Sequence, residues 1–436
     1  MPKKRIALIC NDKVGKSMAG PGIRYFEMAK VLSRNYDVIL LVPESSDLAG
    51  NHPEINFRTY DSSKSTSTIF PNLSGCDYVV AQSLRPFLLW KVKRAGIKFI
   101  ADLYDPLIIE VMEYLKYDRP AYRNIVYNFQ FYLLLLQLSA SDHILCASER
   151  QRELYLDLMA QYGIKKLSWQ NGLDLDSTIS LLPFGFPKEN PKPSNIRIIE
   201  ERFPQIKKSD FVLYWGGGVW NWFDPLSVIK SVEKIAKRRN DIKLFFLGMR
   251  HPNPKVKEME MAAKSLEYTK DKNLLDESVF FNFDWTPYQK RVGFLCRTDA
   301  CVSTHFDNIE TFFSFRTRIL DYLWAEKPMI LTKGDCLAEF VEENQLGIVV
   351  DYEKPDEIEA AILKLANDKK LSEKFRKNIA AVKSEFIWDN LLTKLALLIE
   401  EDKIPIIKIK KGQFHSYSSK FYYYGLLKKM YPKKSG

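Results

Sequence analysis

The sequence predicts an α/β protein built from two Rossmann-like, doubly wound domains facing a cleft, with a basic C-terminal tail. Three observations carry that prediction. Short apolar segments alternate with amphipathic stretches from Arg5 to Tyr162. The same alternation restarts at Asp210. Between them lies PFGFPKENPKPS, whose Pro183, Pro187, Pro191 and Pro193 read as a linker. At 436 residues the chain exceeds one ordinary core. The expected division is an N-terminal domain over 1–190, a C-terminal domain over 191–402 and a tail over 403–436. The tail is expected to pack on the N-terminal domain or on a membrane.

In the first half, strands are expected at Arg5–Cys10, Asp37–Val42, Tyr78–Ala81, Lys98–Asp102 and His143–Cys146. Helical patterns separate them near Arg24–Ser33, Pro86–Ala95, Arg119–Ser139 and Arg150–Tyr162. Strand–helix alternation implies a parallel sheet covered on both faces. In the second half the strands are FVLYWG, KLFFLG, VFFNFD, ACVST, PMILT and GIVVD, closed by helices over Pro355–Asn367 and Ser372–Ile399. Ligands of such sheets sit beyond the carboxyl ends of the strands, which here points to the cleft between the halves.

Composition excludes several classes. A hydrophobic content of 46% with 27% charged residues is that of an ordinary globular protein. Six scattered cysteines lack metal-type spacing and read as reduced thiols of a cytoplasmic protein. The apolar run FYLLLLQLSA is too short for a bilayer, which needs about 20 residues. MPKKRIALIC reads as a first strand, not a signal peptide. The net charge is +11, yet from Lys403 onward there are nine lysines and no acid, so the body is only +2. No nucleic acid is therefore expected, and the excess favours one local anionic contact.

Candidate site residues gather at strand-to-helix junctions. Val302–Asp335 packs His305, Glu310, Arg316 and Arg318 just ahead of an amphipathic run. Acid, imidazole and guanidinium groups at such a junction suit a charged, hydroxyl-rich ligand, because the arginine fork matches phosphate oxygens. In YWGGGVWNWFDP, Gly216, Gly217 and Gly218 let backbone approach a ligand, Trp220 is a candidate donor-binding residue with a core role as the alternative for it or Trp222, and Asp224-Pro225 starts a helix. Arg250 and His251 follow one strand; Asp284 and Trp285 follow another. In the first half, Gly20, Gly22 and Arg24 form a loop suited to anions, and Asp102 and Asp105 end a strand as hydroxyl-orienting acids, a base or helix caps. No Walker loop, zinc spacing or Ser-His-Asp order is present.

Taken together, WGGGVWNWFDP, LGMRHPNP, DWTPY, HFDNIETFFSFRTRILDYLWAEKP and DLYDP resemble the GT-B glycosyltransferases. The likeness is greatest to the retaining family four and, within it, to a cell-surface polysaccharide subgroup, and covers about residues 4–400. The resemblance implies transfer of a sugar from a nucleoside diphosphate sugar to a glycan or polyprenyl-linked acceptor. It places the donor mainly on the C-terminal domain. Asp321 falls where the family carries a ribose-binding glutamate, and Glu310 resembles the earlier acid of the E-x7-E pair. Here the two are offset, Phe313 holds the regular position, and the usual Arg and Lys after the first C-domain strand are missing. Arg316 and Arg318, or else Arg250, are expected to supply that phosphate charge. With the charge carried by arginines and amides, no cofactor or metal is expected. The lysine- and tyrosine-rich tail suits an anionic membrane, which puts the enzyme in the cytoplasm at the inner face of the plasma membrane. The alternatives are a catalytically inactive sugar-nucleotide- or polysaccharide-binding subunit, or a GT-B-like epimerase.

Overall fold

A computed structural model describes residues 3–16, 18–47, 52–164, 178–193, 195–249, 258–284 and 286–431. It divides into two compact units, one of Met1–Phe184 with Trp388–Gly436, the other of Gly185–Ile387.

The first unit holds a seven-stranded sheet: β1 (Arg5–Ile9), β2 (Asp37–Pro43), β3 (Asn56–Tyr60), β4 (Tyr78–Ala81), β5 (Lys98–Asp102), β6 (His143–Cys146) and β7 (Ile179–Leu181). Their order is β3-β2-β1-β4-β5-β6-β7, and every pairing is parallel. Ile6 sits in register with Val38 on one side and Tyr78 on the other. The central strands are apolar throughout because helices cover both faces. Strands β3 and β7 lie at the edges, where NFRTY and ISL carry too little apolar pattern to stand out in the sequence.

The second unit repeats the plan with β8 (Phe211–Trp215), β9 (Ile242–Phe246), β10 (Val279–Phe281), β11 (Ala300–Ser303), β12 (Met329–Thr332) and β13 (Gly347–Val350). The order is β10-β9-β8-β11-β12-β13, again all parallel. The reversal of strand order beside β8 brings the loops after β8 and β11 together, where such folds bind ligands.

The structure corrects the expected boundaries. The first break falls after Phe184, inside the proline-rich segment, and the second falls at Trp388. The helix expected over Ser372–Ile399 is interrupted. Helix Lys369–Val382 ends in a tight turn at Lys383–Phe386, and two short helices, Trp388–Leu391 and Thr393–Glu400, belong to the first unit. Trp388 is buried there against Phe184, ring centres 5.4 Å apart, and the Tyr36 hydroxyl donates to Glu400 Oε1 at 3.0 Å.

The tail packs on the first unit, one of the two positions expected for it. Its Ile407 N–H donates to Asp142, which also holds the Phe99 N–H of β5 and pairs with Lys93. Helix Lys411–Met430 then lies along helix Pro120–Ala140. Phe421 stacks on Phe129 at 4.5 Å and Tyr424 on Tyr132 at 5.8 Å. The apolar run FYLLLLQLSA accordingly serves a packed helix, with Leu134, Leu135, Leu136 and Leu138 in the core.

Candidate active site

The loop after β8 is held in place before any ligand is considered. The Gly216 N–H donates to the Tyr322 hydroxyl at 3.0 Å, and that hydroxyl donates to the Val302 carbonyl of β11 at 3.0 Å. A Cβ on Gly216 would lie 3.0 Å from the Tyr322 ring, tighter than ordinary packing allows. Gly217 has φ +75°, a left-handed conformation that favours glycine. Trp220 and Trp222 then stack on one another at 5.3 Å, planes 3° apart. Asp224 caps helix Pro225–Ala236 by accepting from the Ser227 N–H at 3.1 Å, and its carbonyl accepts from the Thr304 hydroxyl at 2.6 Å. The glycine–tryptophan loop is thereby tied to the segment after β11.

Arg318, on helix Thr317–Trp324, reaches this loop. Its Nη2 donates to the Gly218 carbonyl at 2.7 Å. The guanidinium lies 3.9 Å from the Phe223 ring centre and 5.2 Å from that of Trp215. Its Nη1 is buried without a hydrogen-bond partner. Burial, and secondarily the charge of Arg316, pushes the pKa down to about 10, so the group stays charged at neutral pH. This is a cation held by aromatic faces and one carbonyl, with a donor left over.

Arg316 is placed quite differently. Its Nη1 and Nη2 donate to Glu310 Oε1 at 2.8 Å and Oε2 at 2.5 Å, and both side chains are buried. Ser314 Oγ adds a bond to Glu310 Oε1 at 3.1 Å. The fork joins helix Ile309–Phe313 to the start of helix Thr317–Trp324. This corrects two expectations together: Glu310 as a sugar contact and Arg316 as phosphate charge. Each neutralises the other.

His305 is buried as well. Its Nδ1 lies 2.8 Å from Thr332 Oγ1 and its Nε2 lies 3.4 Å from Asp335 Oδ2. Burial, then Arg316 and Arg318, holds its pKa well below the ordinary value, so the ring is neutral. Asp335 accepts from the Leu337 and Ala338 N–H groups as a helix cap, and burial raises its carboxyl to about 6. With no exposed edge, His305 supports the loop after β11 instead of meeting a ligand directly.

Asp321 pairs with Arg291 at 2.9 Å, and burial raises its carboxyl. Asp284 is exposed and pairs with Arg202. Arg250, His251 and Trp285 lie outside the described residues.

In the first unit, Arg24 is fully buried. It grips Asp102 through Nε at 2.8 Å and Nη2 at 2.6 Å, donates to the carbonyls of Leu182 and Pro183, and lies 4.4 Å from the Tyr104 ring centre. Both residues were expected to face a ligand; both are instead a pair that ties helix Gly20–Leu32 to β5. Gly22 is required by packing, since a Cβ there would come within 2.2 Å of the Lys13 carbonyl, whereas Gly20 has open space. Asp105 remains available. It lies just past the carboxyl end of β5, with Gln82 Nε2 at 3.3 Å, and burial raises its pKa to about 7.

Residues 199–382 match the family model described as glycosyl transferases group 1. This span covers β8 to β13 and every residue of the second unit's site. Residues 199–382 are a group 1 glycosyltransferase domain.

Solved structures share the whole fold. HepE of Anabaena, in complex with UDP-glucose, is 14% identical, with 91% of this chain and 99% of that one covered at a TM-score of 0.65. WaaG, a glycosyltransferase involved in lipopolysaccharide biosynthesis, is 13% identical over 90% and 98%, at 0.62. Sucrose-phosphate synthase from Thermosynechococcus elongatus is 14% identical over 92% and 99%, at 0.60. The two parallel-sheet units are thus a GT-B fold. No curated protein matches significantly.

Within the glycosyltransferase domain, the sequence left out Tyr322, Thr332 and Asp335. Tyr322 follows the singled-out Asp321, and only strand packing shows that its hydroxyl bridges β8 and β11.

Proposed function

We propose that this glycosyltransferase moves a sugar from a nucleoside diphosphate sugar, with UDP as the nucleotide, to a glycan or polyprenyl-linked acceptor in cell-surface polysaccharide synthesis. One observation carries the reading: Arg318 keeps a buried guanidinium nitrogen unpartnered beside the glycine loop. A charged donor next to a glycine turn is a ready diphosphate site, and it stands where the family's usual Arg and Lys are missing. The UDP-glucose and UDP complexes of HepE support uridine as the nucleotide.

Negative charge builds on the departing diphosphate as the sugar takes on oxocarbenium character. Arg318 and the backbone of Gly217 and Gly218 stabilise that charge, and they are already in place. The reaction is retaining and independent of added metal, with leaving-group stabilisation supplied by arginine. Asp321 and Trp220 contact the nucleotide, and Asp105 of the first unit orients or deprotonates the acceptor hydroxyl. The enzyme works at the inner face of the plasma membrane, which its lysine-rich tail contacts.

Thermal shift with UDP, GDP, dTDP and ADP tests the donor. A ligand at 100 times its Kd stabilises by about 2.7 kcal/mol. UDP is expected to give the largest shift; equal or absent shifts for all four would refute the reading. Activity that survives EDTA supports the metal-independent mechanism, and strict dependence on added magnesium opposes it.

A further inference from the structure

The helix Lys411–Met430 has two faces, and only one of them is accounted for by packing. Tyr417, Phe421, Tyr424 and Gly425 lie against helix Pro120–Ala140. A helix seated this way on a water-soluble unit carries polar residues on its far side. Here the far side of the last three turns is Tyr422, Tyr423, Leu426 and Met430, exposed by 50%, 58%, 61% and 70%. Their spacing of one, four and eight residues gathers them into one stripe, opposite Tyr417, Phe421 and Gly425. None of these side chains is needed to bury the inner face, so their apolar character needs another explanation.

Charge narrows the occupant. Lys420 and Lys429 flank the stripe, both exposed. Neither helix Lys411–Met430 nor helix Pro120–Ala140 contains an acidic residue, and none occurs after Asp402. The surface is therefore apolar along its middle and positive along its edges, with nothing to repel an anion. Tyrosine and lysine together suit the headgroup layer, where the ring sits at the boundary and the ammonium reaches outward. Leu426 and Met430, central to the stripe, have no partner in a nucleic acid but match acyl chains. No described helix is long and apolar enough to cross a membrane, so the contact is one that lies on the surface.

We infer that the outward stripe Tyr422–Tyr423–Leu426–Met430, edged by Lys420 and Lys429, is a docking surface for an anionic lipid bilayer. The inference rests on the reading of the tail as the membrane-contacting part of the enzyme. It adds that the contact is a folded helix face fixed to the first unit and not an unstructured basic tail. Insertion of that face sets the first unit, which holds the acceptor residues, directly at the lipid surface.

The full-length protein is sedimented with vesicles of phosphatidylcholine alone and of phosphatidylcholine mixed with phosphatidylglycerol. Three forms are compared: wild type, Tyr422→Ser/Leu426→Ser/Met430→Ser, and Lys420→Gln/Lys429→Gln. The wild type is expected to pellet with the mixed vesicles and to stay in solution with the neutral ones. The serine variant loses about tenfold or more in binding, from the apolar area withdrawn from lipid. The glutamine variant binds more weakly than wild type at low salt, and the wild type loses that advantage at high salt. The serine-substituted side chains point away from the packed face, so the melting temperature of that variant stays at the wild-type value, which separates lost docking from lost folding; Lys420 Nζ also lies 4.9 Å from the Tyr132 ring centre, so the glutamine variant is compared with wild type at a temperature where both are folded. Equal pelleting of the serine variant and wild type overturns the inference, as does equal binding to neutral vesicles. Tighter binding to single-stranded DNA than to vesicles, or a lipid-free dimer dissolved by the serine substitutions, reassigns the face and equally overturns it. UDP binding measured without vesicles reports on the donor site alone, so failure of the function reading and failure of this surface are told apart.

Discussion

Arg316 and Arg318 are two residues apart in opposite surroundings, and one pair of substitutions separates the structural role of the first from the ligand role proposed for the second. Arg316→Met removes both donors from Glu310 and leaves a buried carboxylate with only Ser314. Breaking a buried ion pair from one side costs about 3–5 kcal/mol. For a unit of roughly 200 residues that lowers the melting temperature by about 6–20 °C, since each kcal/mol shifts it by about 2–4 °C. Arg318→Met removes a cation that has one carbonyl bond and an unpartnered nitrogen, so stability holds or rises. A lost charge-assisted bond to a diphosphate costs about 1.5–3 kcal/mol, which is about 10- to 150-fold in affinity for UDP. Calorimetry of the full chain reads the transition of the second unit, and titration calorimetry at a temperature where both variants are folded reads UDP. The expected result is a destabilised Arg316→Met that binds normally and a stable Arg318→Met that does not. Comparable loss of UDP affinity in both, or normal affinity in Arg318→Met, would refute the reasoning. Glu310→Leu/Arg316→Met should recover most of the lost stability, because a buried pair replaced on both sides leaves no orphaned charge.

Tyr322→Phe keeps the ring but removes the hydroxyl between Gly216 and Val302; it is expected to cost about 1–3 kcal/mol and to raise the KM for donor through a loosened loop. Gly22→Ala drives a methyl into the Lys13 carbonyl and should destabilise the first unit by about 1–3 kcal/mol, whereas Gly20→Ala is tolerated. Asp105 has a pKa raised from 3.8 to about 7, so the folded protein holds a proton that the unfolded chain releases. Stability contributed by that proton is complete below pH 3.8 and is lost as pH rises to about 7; Asp105→Asn should flatten that slope and remove a rise in activity centred near pH 7. An activity profile unchanged in Asp105→Asn would exclude it as the base.

The parts of the fold that were readable share one property: their burial is written into consecutive residues. RIALI, FVLYW and MILT are apolar because both faces of a parallel strand are covered, and no knowledge of neighbours is needed to see that. The glycine loop was readable for a related reason, since three glycines between a strand and an Asp-Pro helix start have few other uses. The edge strands β3 and β7 were not readable, because one side of each is free and their patterns are weak. The return of Trp388–Gly436 to the first unit was also hidden. A helical pattern shows that a segment wants a partner and does not say which one.

The sequence by itself determined the class of protein. Strand–helix alternation required two parallel-sheet units, and the glycine–tryptophan loop and the arginine-bearing helix after β11 marked the junctions where a ligand is proposed to sit. Tertiary structure alone decided which charges remain free for a ligand. Arg24 and Arg316 look as available in the sequence as Arg318, yet Asp102 and Glu310 neutralise the first two inside the fold. The reason is geometric: neutralising a guanidinium takes an acid placed within about 3 Å, as in ion-paired forks. For Arg24 that acid comes from a strand 78 residues away. For Arg316 it comes across a turn that sequence spacing does not define. Arg318 meets no such acid among the described residues, and that is why the proposed diphosphate contact falls to it.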